Sequence, residues 1–358
     1  MGYKKRFRHF LRYRRIVKVF MKHGLGYLVK VMGLDSLWLR QKSPEIRDVG
    51  RESDQILADR LCRALSELGP TFVKVGQIFS TRPDIFSPAY IEEFEKLQDK
   101  VQPFSYREVV EKLVKEIGHP DEIFAEFNPQ PLAAASIGQV HRGRLKTGEE
   151  VIVKIQRPNI EQIVESDLEI LIGLAQLSEK RSAEARRLGV AAMLEDFSRL
   201  LLRELDYDRE ARNTERFYQN FTSDKRVIIP RVYWEYTTRR VLTQEYIEGV
   251  KLSNLDEITA RGWDRGKTSH LGTDAFLTQI MLHGFFQADP HPGNILVVDE
   301  EHIAFIDFGE VSALSERRLN NLGELLLAID RQDMDKIAAT LEEMGIITNI
   351  ADMEAFQE

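Results

Sequence analysis

The stretch Gln287–Glu310, "QADPHPGNILVVDEEHIAFIDFGE", carries the strongest signal in the chain. Phosphoryl transfer needs a carboxylate beside the acceptor, an oxygen ligand for a metal ion, and a second carboxylate that joins metal to phosphates. Asn294 stands five residues after Asp289, and Asp307 opens an Asp-Phe-Gly sequence after a predicted hairpin. This spacing predicts a phosphoryl-transfer site in which Asp289 is catalytic and Asn294 and Asp307 bind Mg²⁺.

A second signal lies upstream, where a predicted strand ends in Val151-Ile152-Val153-Lys154. In kinases the lysine at this position contacts the α- and β-phosphates of ATP. The preceding loop, which is rich in glycine in kinases, here consists of Ala133, Ala134, Ala135 and Ser136. Alanine cannot reach much of the backbone space open to glycine. We therefore expect a stiffer nucleotide loop that disfavours the ATP pose of a protein kinase.

A lysine that faces a nucleotide site needs an acidic partner. Two candidates stay open from the residues alone, Glu165 in "VESDLEIL" and Glu210 in "RELDYDREA". Glu245 and Tyr246, at the end of a predicted strand, complete the expected nucleotide contacts. An iron or zinc site at Asp289 has little support, because no second histidine near His291 has ligand spacing.

The order of the predicted elements is that of a protein-kinase-like fold. Helices are predicted over 54–68, after a cap at Ser53, over 71–81 and 89–100, and over 106–117, opened by a capping box of Ser105 and Glu108. Strands are predicted over 122–127, 138–145 and 150–155. Later helices are predicted over 160–180, 191–213, 271–286 and from about 315, and later strands over 227–233, 240–246, 295–298 and 303–306. This order predicts an α+β, two-lobe fold with a small antiparallel sheet lobe, a helical lobe and an N-terminal all-helical extension. The expected domains are a basic segment 1–49, the extension 50–120, the N-lobe with a helical insertion 121–248, and the C-lobe 249–358.

The composition excludes several classes of protein. The net charge of −7 gives no basis for nucleic-acid binding. The single cysteine, Cys62, cannot form an intrachain disulfide and is compatible with a reducing compartment. No run of eighteen apolar residues predicts a membrane-spanning helix, and the N-terminus lacks the apolar core of a signal peptide. We therefore expect a cytoplasmic chain.

The N-terminal segment 1–34 is rich in lysine and arginine, contains no acidic residue, and alternates basic with apolar side chains. One interpretation is a helix that lies on an anionic membrane surface, where each basic residue contributes about 1 kcal/mol. The other is a basic helix packed on the rest of the chain. The sequence does not choose between them.

Five motifs together resemble the UbiB family of atypical kinase-like proteins, over about residues 50–330. They are Lys-x-Gly-Gln at 74–77, the alanine-rich loop at 133–136, Ile-Gly-Gln-Val-His at 137–141, Glu-x-Asp at 204–206, and the Asp-Pro-His-Pro-Gly-Asn loop with Asp-Phe-Gly. The resemblance implies a role in ubiquinone and other prenyl-lipid metabolism. It also implies that relatives carry further C-terminal sequence, including transmembrane segments, so that a longer chain is membrane-anchored.

The resemblance assigns further residues. It implies that Glu210 is the partner of Lys154, which leaves Glu165 as a carboxylate on a helix surface. It implies that Lys74 and Gln77 fold over the nucleotide site as a lid. Lys74 would then project toward Glu204 and Asp206, the carboxylates of the family's extra motif.

The expected function is that of an atypical kinase or ATPase that binds ATP or ADP with Mg²⁺ and supports prenyl-quinone biosynthesis. The residues 310–322, "EVSALSERRLNNL", predict a helix soon after Asp-Phe-Gly, which leaves no long loop for a peptide substrate. We expect a small molecule, a lipid or water as the acceptor. The expected partners are an anionic membrane surface at its inner face, a prenyl-lipid precursor, and proteins of quinone biosynthesis.

A nucleotide-gated lipid-binding or scaffolding protein without phosphoryl transfer is the alternative. A small-molecule antibiotic kinase explains neither Lys74 and Gln77 nor the alanines.

Overall fold

The computed structural model describes residues 2–26, 29, 54–97 and 102–347, the side chains of residues 2–6, 8 and 184 excepted. The predicted cap at Ser53, the end of the helix predicted over 89–100, and the last residues 348–358 lie outside this part of the chain. The chain divides into two compact units. The first comprises Met1–Asp208 and Trp234–Thr243, and the second Arg209–Tyr233 and Gln244–Glu358. The domain boundaries expected from the sequence stay predictions.

The first unit begins with helices. They are α1 (Gly2–Lys22), α2 (Asp54–Leu68), α3 (Pro70–Ser80), α4 (Pro88–Phe94), α5 (Tyr106–Glu116) and the single turn α6 (Pro120–Ile123). The capping box predicted at Ser105 and Glu108 opens α5, with Glu108 N donating to Ser105 Oγ and Ser105 N donating to Glu108 Oε2. The helix predicted over 89–100 is shorter than expected, because helical structure ends at Phe94.

Helix α1 is docked on the first unit along one face. Its side chains Ile16, Val17 and Phe20 are buried in a cluster with apolar residues of α2, α3 and α4. Arg12 donates from Nε to Asp167 Oδ1 at 2.5 Å and from Nη2 to Asp167 Oδ2 at 2.7 Å. Asp167 is fully buried. The interpretation of the N-terminus as a basic helix packed on the chain is therefore confirmed for this face.

The described residues of the first unit form a five-stranded sheet. Its strands are β1 (Phe124–Phe127), β2 (Ala133–Ala134), β3 (Gly138–Leu145), β4 (Glu150–Gln156) and β6 (Val241–Glu245), in the order β1-β3-β4-β6, with β2 paired to β3. The pairs of β3 with β1, β2 and β4 are antiparallel. Alternate residues of β4 are fully buried, namely Val151, Val153 and Ile155, which gives the sheet one covered face.

Three helices follow the sheet strand β4: α7 (Ile160–Arg181), α8 (Ala183–Leu188) and α9 (Val190–Glu204). The helix predicted over 191–213 is wrong as a single element, because α9 ends at Glu204 and α10 (Tyr207–Asn220) begins after a break. The break is held by tertiary hydrogen bonds. Gln156 Nε2 donates to Leu205 O at 2.5 Å, and Tyr207 N donates to Arg239 O at 3.1 Å.

The described residues of the second unit form two sheets. The first consists of β5 (Val227–Ile228), β7 (Val250–Lys251), β9 (Ile295–Val297) and β10 (Ile303–Phe305), in the order β5-β10-β9-β7. Strands β9 and β10 form the predicted hairpin, paired antiparallel, whereas β5 pairs parallel to β10. The second sheet pairs β8 (Phe285–Gln287) with β11 (Val311–Ala313). The strand predicted over 227–233 is wrong beyond Ile228.

The helices of the second unit, besides α10, are α11 (Leu255–Ala260), α12 (Arg265–Met281), α13 (Glu316–Asp330) and α14 (Met334–Glu343). The helix predicted over 271–286 is wrong at both ends. It begins at Arg265, where the Asp264 side chain accepts hydrogen bonds from Gly266 N and Lys267 N. It ends at Met281, since Gly284 adopts φ 55° and Phe285 enters β8. None of the described helices is long and apolar enough to cross a membrane.

Candidate functional site

The alanine-rich loop is held as a tight hairpin on β3. Ala133 and Ala134 pair with Val140 and Gln139, and Ala135 N donates to Gly138 O at 2.8 Å. Ser136 is fully buried, and its Oγ has no hydrogen-bond partner among the residues described. The loop is therefore restrained by backbone pairing as well as by its alanine methyl groups.

Arg157, just beyond β4, ties this loop to the segment between α4 and α5. Its Nη2 donates to Ala135 O at 3.2 Å and to Gln102 O at 3.1 Å, and the guanidinium lies 5.4 Å from the ring centroid of Phe104. Burial lowers the pKa of Arg157, an effect that Glu108 partly offsets. The restraint on the loop thus depends on a charged side chain that the sequence-based prediction did not single out.

Gln139 and His141 make a buried polar link on β3. Phe104 N donates to Gln139 Oε1 at 3.0 Å, and His141 Nδ1 lies 2.8 Å from Asn128 O. Because a carbonyl only accepts, His141 carries its proton on Nδ1, and Nε2 accepts from Gln139 Nε2 at 2.8 Å. Burial lowers the pKa of His141, so the ring is neutral near pH 7.

Lys154 lies on the face of β4 opposite to the buried Val153 and Ile155, in register with Val140 of β3. It is half-buried. Glu165 is exposed on α7, as expected for a helix-surface carboxylate. Glu210 is buried on α10, in the second unit. The pairing of Lys154 with Glu210 stays a prediction.

Lys74 and Glu204 meet inside the first unit. Lys74 Nζ on α3 lies 2.8 Å from Glu204 Oε1 at the end of α9, and the two side chains are 20% and 21% exposed. This is the contact that the family resemblance predicted for Lys74. Gln77 Nε2 donates to Leu97 O at 3.0 Å. The place of Lys74 and Gln77 over a nucleotide site stays a prediction. A Cβ atom at Gly76 would overlap Leu97, so Gly76 and Gln77 together hold α3 against the residues that follow α4.

Asp206 is linked to a second set of charges. Its Oδ2 lies 3.9 Å from Arg239 Nε, and Arg239 Nη2 lies 3.2 Å from Glu161 Oε1. Arg240 bridges Glu161 and Glu116 at 2.8 and 3.3 Å. The hydrogen bond from Arg240 lowers the pKa of Glu161. The Glu-x-Asp motif is thus positioned by cations from two separate parts of the first unit.

In the second unit, the loop 289–294 is braced by its own backbone. His291 Nδ1 accepts a hydrogen bond from Gly293 N at 3.0 Å, and Asn294 N donates to His291 O at 2.9 Å. Asn294 O then accepts from Ile306 N at 3.0 Å, which fixes Asn294 beside the residue that precedes Asp307. Asp289 itself is exposed. The loop and the end of β10 therefore form one rigid frame.

The Asp-Phe-Gly sequence is anchored by uncharged partners. Gln287 Nε2 donates to Asp307 O at 2.5 Å, Asn213 Nδ2 donates to Phe308 O at 2.9 Å, and Asp307 Oδ1 accepts from Gly309 N at 2.9 Å. Phe308 is fully buried and packs 4.8 Å from the ring of Phe217. Neither Asn213 nor Gln287 was predicted from the sequence.

Glu245 is the last residue of β6, and Tyr246 comes directly after it. Glu245 N donates to Arg231 O at 2.9 Å, and Glu245 Oε2 accepts from Arg231 N at 3.2 Å. Tyr246 is half-buried in the second unit. Their roles in nucleotide binding stay predictions.

The donor atoms at Asn294 and Asp307 suit a hard cation, because an amide oxygen and a carboxylate are ligands that Mg²⁺ prefers. Among the described residues, no three histidine, cysteine or acidic side chains cluster closely enough to hold a metal ion. Any metal bound here therefore depends on the amide of Asn294 and on the phosphates of a ligand. This set fits a nucleotide-bound Mg²⁺ and does not fit zinc.

The comparisons with known proteins agree with these features. Residues 96–341 match the family described as "ABC1 atypical kinase-like domain". The chain is 37% identical over 353 residues to the probable protein kinase UbiB of Azotobacter vinelandii, covering 95% of this chain and 66% of that protein. It is 39% identical over 307 residues to the chloroplastic protein ACTIVITY OF BC1 COMPLEX KINASE 8 of Arabidopsis thaliana, covering 84% and 40%.

Among solved structures, the complex of Rv3197 with erythromycin from Mycobacterium tuberculosis matches with a TM-score of 0.56 and 27% identity, covering 82% of this chain and 75% of that one. The match confirms the kinase-like α+β fold. The chain spans only 40% and 66% of the lengths of the two named curated relatives. On the family match and on these identities, the chain belongs to the ABC1/UbiB family of atypical kinase-like proteins.

Proposed function

We propose that this chain is a Mg-nucleotide-dependent atypical kinase or ATPase that supports prenyl-quinone biosynthesis, such as that of ubiquinone, at a membrane surface. The observation that carries the proposal is the rigid frame of the second unit, in which Asn294 O accepts from Ile306 N and Gln287 holds Asp307 O. These hydrogen bonds fix the backbone from which the Asn294 amide and the Asp307 carboxylate project before any ligand arrives. Preorganised charges of this type supply most of the rate enhancement in phosphoryl transfer.

Each predicted site residue has a role in this proposal. Asp289 orients the acceptor and takes its proton, while Asn294 and Asp307 hold the Mg²⁺ ion. Lys154 contacts the phosphates, with Glu210 as its partner, and the loop 133–136 with Glu245 and Tyr246 borders the nucleotide. When bound, Mg-ATP supplies the phosphoryl group, or Mg-ADP occupies the same place.

The acceptor is proposed to be a small molecule, a lipid or water rather than a protein. Strand β11 pairs with β8 directly after Asp-Phe-Gly, and α13 begins at Glu316, capped by Ser315. The six residues between Gly309 and Glu316 leave no room for the long loop on which protein kinases seat a peptide.

Membrane association is proposed from the outer face of α1. Phe7, Phe10 and Leu11 are 58%, 46% and 49% exposed, and the basic residues Arg14, Arg15 and Lys18 of the same helix are exposed as well. Apolar side chains next to basic ones suit the surface of an anionic bilayer. This face supports our proposal that the chain is a peripheral cytoplasmic protein at the inner face of a membrane, near the other proteins of quinone biosynthesis.

The test measures thermal unfolding with and without nucleotide. Mg-ATP or Mg-ADP at 100 times its dissociation constant should stabilise the chain by about 2.7 kcal/mol. Asp307→Asn should remove this stabilisation, because the amide cannot neutralise the metal ion. Asp330→Asn, an exposed aspartate at the end of α13, is the matched control and should retain it. Absence of stabilisation by every nucleotide and metal combination contradicts the proposal.

The alternative is a nucleotide-gated lipid-binding or scaffolding protein. It is favoured by the Lys74–Glu204 ion pair, since a lysine that occupies the Glu-x-Asp motif competes with any cation there. A turnover assay separates the two functions. Phosphate release from Mg-ATP in the presence of anionic liposomes and an isoprenoid phenol supports the enzyme, whereas nucleotide binding without release supports the scaffold.

A further inference from the structure

The backbone of the second unit is fixed on either side of Asp307. Before it, Ile306 N donates to Asn294 O at 3.0 Å, and after it, Gln287 Nε2 donates to the carbonyl oxygen of Asp307 at 2.5 Å. The carboxylate itself accepts at Oδ1 from Gly309 N at 2.9 Å. A backbone rotation that redirects the Asp307 carboxylate therefore has to break the contact with Gln287.

Gln287 is in turn held from α12. It is 2% exposed at the end of β8, and its backbone N donates to Gln279 Oε1 at 3.1 Å. Gln279 lies in the last turn of α12 and is fully buried. Two hydrogen bonds in series thus connect α12 to the backbone of Asp307, the first through the side chain of Gln279 and the second through that of Gln287.

Stability does not explain these two amide side chains. Gln279 Nε2 and Gln287 Oε1 are buried and have no hydrogen-bond partner among the residues described. An unpaired buried polar atom is unfavourable for folding, and an apolar side chain of similar length carries no such cost. Each amide nevertheless places its other polar atom against a backbone group. What the two glutamines contribute is therefore the position of that backbone.

Mg²⁺ is an ion for which such positioning matters. It demands nearly ideal octahedral geometry at short distances, whereas Ca²⁺ accepts more ligands in a flexible arrangement. A carboxylate at Asp307 that is fixed relative to the Asn294 amide therefore favours Mg²⁺. If the same carboxylate can turn, the site loses affinity for Mg²⁺ before it loses affinity for Ca²⁺.

We propose that Gln287 and Gln279 are positioning residues, which hold the backbone of Asp307 and thereby make the site selective for Mg²⁺ over Ca²⁺. Neither glutamine contacts the nucleotide or the metal ion. The selectivity rests on the function proposed above, in which Asn294 and Asp307 hold a nucleotide-bound ion. The positioning itself is a property of the metal-free chain and is tested separately.

The first test measures how ADP stabilises the chain against thermal unfolding at increasing concentrations of Mg²⁺ or of Ca²⁺. Gln287→Met removes the donor to Asp307 O and should raise the half-saturating Mg²⁺ concentration about tenfold or more, but that of Ca²⁺ less than about threefold. Gln287→His keeps a ring N–H at a similar reach and should stay within about threefold of the wild-type chain for both ions. Melting temperatures without ligand show that each variant folds.

Thr268→Val is the matched control on α12. Thr268 is 3% exposed and its Oγ1 donates to Asp264 O at 3.0 Å, so the valine variant also loses a buried side-chain donor to a backbone carbonyl. Both half-saturating concentrations should stay within twofold of wild type.

Gln279→Met should raise the Mg²⁺ value severalfold. The double variant that carries both methionine substitutions should match Gln287→Met within twofold, because the two contacts act in series. A ratio of the Ca²⁺ to the Mg²⁺ value that Gln287→Met leaves within twofold of wild type overturns the proposal, and so does an equal change in Thr268→Val. If Gln287→Met does not fold, the same criterion applies to Gln279→Met.

Hydrogen exchange in the metal-free chain keeps this proposal apart from the proposed function. In Gln287→Met the Gly309 amide, which donates to Asp307 Oδ1, should exchange about tenfold faster than in wild type, whereas the Ile306 amide, held by Asn294 O, should keep its rate. If no metal ion with ADP stabilises the wild-type chain and the Gly309 amide still exchanges faster in the variant, the proposed function fails and the positioning stands. If ADP with metal stabilises the wild-type chain and the Gly309 amide keeps its rate, only the positioning is lost.

Discussion

The two units fix their motif residues by different kinds of interaction. In the first unit, Glu204 is paired with Lys74 and Asp206 with Arg239, so the Glu-x-Asp motif is positioned by ion pairs. In the second unit, Asp307 and Phe308 are held by the amide side chains of Gln287 and Asn213. Neutral hydrogen bonds depend little on salt, whereas part-exposed ion pairs are screened by it. The motif residues of the second unit are therefore held by hydrogen bonds that salt affects little. Those of the first unit are held by ion pairs that salt weakens.

The largest expected effect on stability comes from the buried aromatic core around Phe308 in the second unit. Phe308→Ala removes a fully buried ring that packs on Phe217 and should cost about 3 to 5 kcal/mol of unfolding free energy. Hydrogen exchange should locate the loosened amides in the second unit, around 285–311. Phe72→Ala, at a ring that is 1% exposed in the first unit, is the control and should loosen α1 to α4 instead. Equal loosening of both units by either variant contradicts the comparison.

A pH effect should come from the first unit. Burial lowers the folded-state pKa of His141 below its unfolded value of about 6.5. Above that value the ring is neutral in both states and contributes no pH dependence. As the pH falls below it, only the unfolded chain takes up the proton, so stability should decrease by up to about 1.4 kcal/mol per pH unit.

Urea unfolding at pH 7.5 and pH 5.5 measures this decrease. His141→Gln should show a smaller loss than the wild-type chain between the two pH values. The pKa of His283 is also lowered by burial, but its contribution is common to both proteins and cancels in the difference. An unchanged pH dependence in His141→Gln means that His141 is not the source.

Salt should weaken the ion pairs of the first unit. Breaking the Lys74–Glu204 pair by Lys74→Met should cost about 0.5 to 1 kcal/mol of stability at low salt and less at 1 M NaCl. A double-mutant cycle with Glu204→Gln measures the coupling between the two side chains. The exposed pair Arg107–Glu111 on α5 provides the control cycle, with an expected coupling of about 0.3 to 0.5 kcal/mol. A coupling for Lys74 and Glu204 that is independent of salt contradicts the assignment.

The smallest stability effect is expected in the alanine-rich loop. Ala135→Gly keeps the backbone hydrogen bonds to Gly138 and Arg157 but enlarges the freedom of the unfolded chain, which should cost about 0.4 to 1 kcal/mol. Its functional effect should be larger, with the ratio of ADP to ATP affinity changed severalfold. Arg157→Gln loosens the same loop from the other side and should shift this ratio in the same direction, whereas Arg142→Gln, at an exposed position of β3, should not. Unchanged affinities in Ala135→Gly contradict the role of the alanines.

Much of the fold follows from local patterns. The spacing of Asp289, Asn294 and Asp307 and the hairpin between them are visible in the sequence, because apolar strands flank a short acidic turn. The capping box at Ser105 is a local signal as well. These features depend on neighbours within a few residues, and the structure confirms the hairpin and the cap.

The features that were missed depend on distant partners. The sequence on both sides of Leu205 predicts helix, and the hydrogen bonds that hold the break there come from Gln156 and from the carbonyl of Arg239, in other elements. Arg157 has no local signal either, since its acceptors are carbonyls at positions 102 and 135. Neither the charge pattern nor the helix propensity along the chain predicts contacts with such distant partners.

The ion pair between Arg12 and Asp167 joins residues 155 positions apart, and this separation matters while the chain is being made. Helix α1 leaves the ribosome well before α7, with its apolar side chains uncovered and Arg12 without its buried carboxylate partner. At about 5 to 20 residues per second, its partner emerges roughly 8 to 30 seconds later. During that interval the basic, apolar helix is free to meet a lipid surface before it meets the rest of its own chain.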